Sequence, residues 1–161
     1  MSGFGAKAYS KLSLELDILN ADPHRLVLIL FDGALLAIQR AKGHLAQRRI
    51  AEKCQAIDQA IRIVDSGLCS SVDPTFAPAF SARLIGLYKY ILRRLLQGNI
   101  RNDVEALDEA ARLLGDLRAA WAKIGPAGTV AEGALGTNGP PGAPAVATPA
   151  EFARLAHAYR A

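Results

Sequence analysis

The side chains of this 161-residue sequence that could do chemistry are three histidines, two cysteines and fifteen acidic residues, and their spacing decides what that chemistry could be. His24, His44 and His157 lie far apart, and none stands in an HExxH or ExxH pattern. A di-iron centre in a helical bundle needs Glu-x-x-His on facing helices to bring carboxylate and imidazole to one metal, so no metal site is expected. Cys54 and Cys69 form neither a CxxC pair nor a disulfide framework. They read as reduced, partly buried thiols of an intracellular protein. There is no GxxxxGK(S/T) phosphate loop, no GxSxG elbow, and no GxGxxG after a strand. His44 lacks the patterned basic surroundings of a phosphotransfer histidine. Asp32, set among apolar residues, reads either as a hydrogen-bonded structural carboxylate or as a recognition residue. The sequence holds no catalytic constellation and implies no cofactor.

What the chain has in quantity is apolar surface. It is 51% hydrophobic but only 6% aromatic, with Ala and Leu dominant, a balance that favours helices over strands. The net charge of +4 and pI near 9.3 come largely from scattered arginines such as Arg48-Arg49 and Arg93-Arg94. No aromatic-interleaved basic cluster or recognition helix accompanies them, so nucleic-acid binding is not expected. The densest apolar run, Leu26 to Phe31, covers every side of a helix at ~100° per residue, which requires neighbours on more than one side. Asp32 ends it after six residues, too soon for a membrane span. The start of the chain has no apolar signal-peptide core, so a soluble cytoplasmic protein is expected.

Four helices follow from the periodicity. Asp22-Pro23 opens the first, with aspartate as cap and proline at the first turn, and it runs to about His44. The second, about 50–71, carries Ile50, Cys54, Ile57, Ile61, Val64 and Leu68 at steps of three and four. Asp73-Pro74 signals the third, with Pro78 a competing start. Its apolar positions, Leu84, Ile85, Leu87, Tyr88, Ile91, Leu92, Leu95 and Leu96, spread over roughly half the circumference. Gly98-Asn99 reads as its C-terminal break, and Asn102 with Glu105 as a capping box for a fourth helix over about 103–124. The short connections imply antiparallel neighbours. The fold class is therefore all-α: an antiparallel up-down four-helix bundle over residues 22–124.

Both flanks differ from the bundle. In residues 1–21, Leu12, Leu14, Leu16 and Ile18 alternate with polar residues, the period of an extended segment. With no strand partner in sight, such a segment fits a groove between helices; a helical start or disorder are the alternatives. Residues 125–149 hold five of the eight prolines and six of the fourteen glycines, the composition of a flexible linker. Residues 150–161 read as a short amphipathic helix with Phe152, Leu155, Ala156 and Tyr159 on one face. Helices one and three have more apolar surface than a bundle seam needs, which points to a groove for a partner's amphipathic helix. The alternative is a structural bundle that forms a homo-oligomer.

Five pieces of the sequence carry a resemblance: Leu30-Phe31-Asp32-Gly33-Ala34-Leu35; Leu87-Tyr88-Lys89-Tyr90; Arg94-Leu95-Leu96; Asn99-Ile100-Arg101-Asn102-Asp103; and Leu117-Arg118-Ala119-Ala120-Trp121. In order and spacing, over about residues 6–124, they resemble the FliS family of flagellar export chaperones. Phe31 stands where the family usually has Tyr, Gly98 where it has Ala, and Arg48-Arg49 where it often has an acidic or polar turn. The tail lies outside the resemblance. The resemblance implies a non-enzymatic bundle that binds the C-terminal helical segment of new flagellin in the cytoplasm. It also implies that the bundle prevents premature polymerisation and delivers flagellin to the flagellar type III export gate. Ala8-Tyr9 matches a family motif in an N-terminal segment packed near the binding surface, so Tyr9 and Leu12 are expected to form a lid. Stripe geometry nominates Ile57, Ile61, Val64, Leu84, Leu87, Tyr88 and Ile91 as the flagellin groove. A monomer or weak homodimer is expected.

Overall fold

The computed structural model describes residues 22–124; residues 1–21 and 125–161, with the expected N-terminal segment, linker and terminal helix, lie outside the described residues. Helix α1 spans Pro23–Ala46, and the Asp22 carboxylate accepts from the Arg25 backbone N–H at 2.8 Å, as the cap-plus-proline signal requires. Its end is a Schellman turn with an arginine in the left-handed position: Arg48 has φ 57°, its N–H donates to Leu45, and the Arg49 N–H donates to His44.

Helix α2, Ile50–Arg62, continues without a break into a π-helical segment, Ile63–Cys69. The cause is visible in the core spacing. Ala60, Val64 and Leu68 are all buried, at successive steps of four residues. An α-helix would rotate each step of four by about 40°, carrying the last of them off the core. The wider turns of a π-helix, with i→i+5 bonds, keep them facing inward. Gly67 lies in this segment, and a Cβ there would meet the Leu30 side chain at 3.2 Å. Reciprocally, a Cβ at Gly33 would meet Ile63 Cδ1 at 3.4 Å. Each helix thus lays a branched side chain over the other's glycine, and α1 with α2 form the most closely packed pair of the bundle.

Helix α3, Pro78–Arg101, starts later than Asp73-Pro74 signals. Asp73 instead closes a turn, accepting from the Thr75 N–H and hydroxyl, while the Ser81 hydroxyl reaches back to the Asp73 and Phe76 carbonyls. Pro78 then begins the helix after Ala77, whose φ of 42° is left-handed. The far end is also corrected. Gly98 is a buried helical residue, and the helix stops at Asn102, with φ 52°. Asp103, in place of Asn102, caps α4 (Val104–Ile124) by accepting from the Ala106 N–H at 3.2 Å. Glycine is needed at 98 for space: a Cβ there would sit 2.5 Å from Leu107 Cδ2.

Each helix packs on two neighbours, α1 on α2 and α4, and α3 on α2 and α4. Ion pairs give the sense of α1 against α4. Asp32 pairs with Arg118 and Lys42 with Asp108, so ten residues forward on one helix are ten back on the other. The bundle is antiparallel. Its core holds Val27, Phe31, Ile38, Ile57, Val64, Leu68, Leu84, Tyr88, Ile91, Leu95, Leu107, Leu114, Leu117 and Trp121. Phe31 is 1% exposed, a site where a ring without a hydroxyl needs no polar partner.

Two alanine substitutions separate the roles of the glycines. Gly98→Ala must displace Leu107 and should destabilise by about 1–3 kcal/mol. Gly86→Ala, with nothing within 4 Å of the new Cβ in the middle of an exposed helical face, should stabilise by about 0.5–1 kcal/mol. Urea unfolding midpoints of the two variants should move in opposite directions.

Candidate functional site

On α3 the apolar residues beside the core line are what a bundle seam leaves over. Phe80, Leu84, Tyr88, Ile91 and Leu95 face inward. Ile85 and Leu92 are half-buried, Leu96 is 50% exposed and Ile100 is 72% exposed. Lys89 shares their side of the helix. It acts on the Cys69 thiol, whose pKa is raised chiefly by burial and then by Asp65, with Lys89 opposing. That side of α3 therefore turns toward α2 and its π-helical extension. On α2, Ile61 and Cys54 are half-buried and Ile50 is 46% exposed, at the helical spacing that repeats one face. The result is an apolar strip along the α2–α3 seam, with exposed Asp58 and Asp65 on one bank and exposed Lys89 and Arg93 on the other.

The α2 end of the strip is anchored by a buried charge. Lys53 is 2% exposed, and its ammonium donates to the Asn99 carbonyl at 2.8 Å and to Asn102 Oδ1 at 2.6 Å. Burying an ammonium is costly unless acceptors surround it. Here they are the Asn99 carbonyl and the Asn102 side-chain oxygen at the end of α3, where the helix dipole favours a positive charge.

The polar residues of the sequence motifs meet in pairs between helices. Asp32 accepts from Arg118 through both oxygens, at 2.6 and 3.2 Å. The His24 ring stacks on Trp121, His24 Nε2 donates to the Trp121 carbonyl at 2.8 Å, and Trp121 Nε1 donates to the His24 carbonyl at 3.0 Å. Glu109 accepts from the Tyr90 hydroxyl at 2.7 Å and faces Arg94 Nε at 2.5 Å. The Tyr90 hydroxyl, then the Arg94 charge, holds the Glu109 carboxyl below the usual carboxylate range. These groups fasten helices and converge on no open centre. Among the described residues, no cluster of His, Cys, Asp and Glu is arranged to hold a metal ion, and no helix is long and apolar enough to cross a membrane.

The seven residues nominated for the groove do not share one surface. Ile57, Val64, Leu84, Tyr88 and Ile91 are core residues. Ile61 is half-buried at the α2–α3 seam, and Leu87 is half-buried on the opposite side of α3, in line with Arg94 and its α4 partner Glu109. Tyr9 and Leu12 lie outside the described residues. Leu92 and Leu96 belong to the half-circumference spread of apolar positions on α3 yet stand outside the nominated seven, as does Ile100.

A family described as "Flagellar protein FliS" matches residues 5–128 of this chain. Three curated proteins show the same likeness. The "Flagellar secretion chaperone FliS" of Salmonella typhimurium is 41% identical over 122 residues, which cover 76% of this chain and 90% of that protein. The protein of the same name from Escherichia coli is 37% identical over 117 residues, 73% and 86% of the two chains. The "Flagellar secretion chaperone FliSB" of Pseudomonas aeruginosa is 34% identical over 115 residues, 71% and 90%. The described residues thus form an all-helical bundle of four antiparallel helices with an apolar strip along one seam. The chain belongs to the FliS family.

Glu109 carries a pH dependence whose sign follows from its depressed pKa. Its contribution to stability is present above the unfolded carboxylate range and is lost as pH falls through the folded value. Glu109→Gln should therefore flatten the acid-side fall of the urea midpoint between about pH 7 and pH 3. Asp73, held low by Thr75, titrates in the same window, so part of the slope should persist. A slope unchanged by the substitution would mean that the carboxylate adds nothing.

Proposed function

We propose that this protein is a cytoplasmic, non-catalytic export chaperone that binds the C-terminal helical segment of flagellin, keeps it from polymerising early, and delivers it to the flagellar type III export gate. The observation that carries this reading is membership of the FliS family, with relatives named as flagellar secretion chaperones across nearly their whole length. The apolar strip supports it physically. An assembly-prone amphipathic helix is kept from its own kind by burying its apolar face elsewhere, and a seam between two parallel ridges of side chains accepts such a helix.

In this reading Ile61, Leu92 and Leu96 make the direct contact, and Ile57, Val64 and Ile91 form the floor beneath them. Leu84, Leu87 and Tyr88 hold the α3 ridge in place. Full burial of one exposed leucine or isoleucine contributes roughly 1.5–3 kcal/mol, to be set against the cost of association. Tyr9 and Leu12 would pack as a lid on apolar residues of α2 and α3 beside the strip, and the chaperone would be a monomer or weak homodimer. Neither nucleic acid nor membrane insertion has a part in it.

Calorimetric titration with the C-terminal segment of the same organism's flagellin tests the reading. One-to-one binding with a negative heat-capacity change is expected. Leu96→Glu, at a half-exposed position where the bundle tolerates charge, should weaken binding at least about tenfold, ~1.4 kcal/mol. Absence of binding by the unsubstituted protein, with concentration-dependent self-assembly instead, would replace the chaperone by the structural homo-oligomer.

A further inference from the structure

The family match ends at residue 128, while the sequence continues to residue 161 with a Gly/Pro-rich stretch and then the amphipathic pattern Phe152, Leu155, Ala156, Tyr159. We propose that this C-terminal segment docks in cis on the α2–α3 strip, over Ile61, Leu92 and Leu96, and competes there with flagellin. The competition rests on the strip being the flagellin site; the docking does not.

Reach is the first argument. α4 ends at Ile124, at the end of the bundle where α3 begins, because the two helices run antiparallel. From there the middle of the strip, at Leu92, lies fourteen residues up α3, about 21 Å at 1.5 Å per residue. A flexible chain of twenty-five residues, which the glycine and proline content of 125–149 predicts, has an r.m.s. span of roughly 25–30 Å. A linker whose span matches the distance holds its cargo at an effective concentration in the ~mM range. A short amphipathic helix that is too weak to bind in trans at cellular concentrations is then bound a large part of the time.

Chemistry is the second. On a helix over 150–161, Phe152, Leu155, Ala156 and Tyr159 form an apolar face, with Glu151 at one edge and Arg160 at the other. The strip offers half-exposed leucine between exposed Asp65 on the α2 side and exposed Lys89 on the α3 side. One orientation of the segment therefore meets an opposite charge at each edge, and the reverse orientation meets a like charge at both. The segment is also too short to be a stable helix alone, so its apolar face needs a surface to fold against.

Methyl NMR of the full chain tests the docking without flagellin. In the unsubstituted protein the Phe152 and Tyr159 rings should displace the Ile61, Leu92 and Leu96 methyl signals. Phe152→Asp/Leu155→Asp should return those signals and leave the core methyls of Leu107 and Leu114 unmoved. Identical spectra for the two proteins would overturn the proposal. So would differences that fade on hundredfold dilution, since the segment would then sit on a second copy. Flagellin-segment titration of the same two proteins tests the competition, and the double variant should bind about threefold to tenfold more tightly as the internal competitor is lost. Equal affinities would overturn the competition. No binding by either protein would sink the flagellin reading alone, because the methyl shifts still report the docking.

Discussion

The close approach of α1 to α2 is the constraint on which the other contacts depend. Leu30 lies over Gly67 and Ile63 over Gly33, and both helices bury alanines, Ala34, Ala37 and Ala41 on one and Ala56 and Ala60 on the other. Small residues let backbones come near, and near backbones give each large side chain at the edge of the interface more atoms to touch. The apolar run from Leu26 to Phe31 is covered on several sides for this reason: Val27 and Phe31 face the core, Leu30 covers the π-helical segment, and the rest are half-buried. The π-helix belongs to the same constraint. It keeps Val64 and Leu68 on the core while Gly67 stays under Leu30, two demands that a regular α-helix would meet only in part.

With α1 and α2 fixed, α4 is held by polar fastenings. The Asp32–Arg118 and Lys42–Asp108 pairs, together with the stacked and reciprocally bonded His24 and Trp121, set its register on α1. The Tyr90–Glu109–Arg94 group does the same against α3. Exposed ion pairs add little stability one at a time. Their effect here is on specificity, since a one-turn slip of α4 would separate every pair at once while costing the leucine core much less. Polar residues of the family motifs thus carry the register of the bundle.

Much of this fold was legible in the sequence. The Asp22-Pro23 start, the four apolar seams and the short connections need only local chemistry and periodicity. Four details were not, because tertiary packing outvotes a local signal. Asp73-Pro74 and Pro78 are equally good helix starts, and the choice falls to Ser81, whose hydroxyl ties back the turn ahead of the helix. Gly98 has the permissive backbone of a cap but is used for the room it leaves Leu107. The π-helix follows from buried residues four apart, a spacing that also fits one side of an α-helix over a short run. Lys53 reads as a surface cation, and only the meeting of α2 with the end of α3 reveals it as a buried one.

The apolar strip was the least legible part, for a physical reason. Stripe geometry ranks residues by how well they align on one face, and the best-aligned residues are those that the bundle itself buries. Ile57, Val64, Leu84, Tyr88 and Ile91 were nominated by that criterion and are core. A surface that must be apolar yet available lies one position to the side, where Leu92 follows Ile91 and Leu96 follows Leu95. Those positions gain little from the fold, so their hydrophobicity calls for another occupant. An exposed leucine alone would need no explanation, because much of any protein surface is apolar. Leu92, Leu96 and Ile100 are different in that they recur at helical spacing on one side of one helix, opposite Ile50 and Ile61 on its neighbour. In the proposed reading, a chain that carries both such a strip and, past residue 128, the Phe152–Tyr159 pattern keeps the strip covered until flagellin displaces the segment.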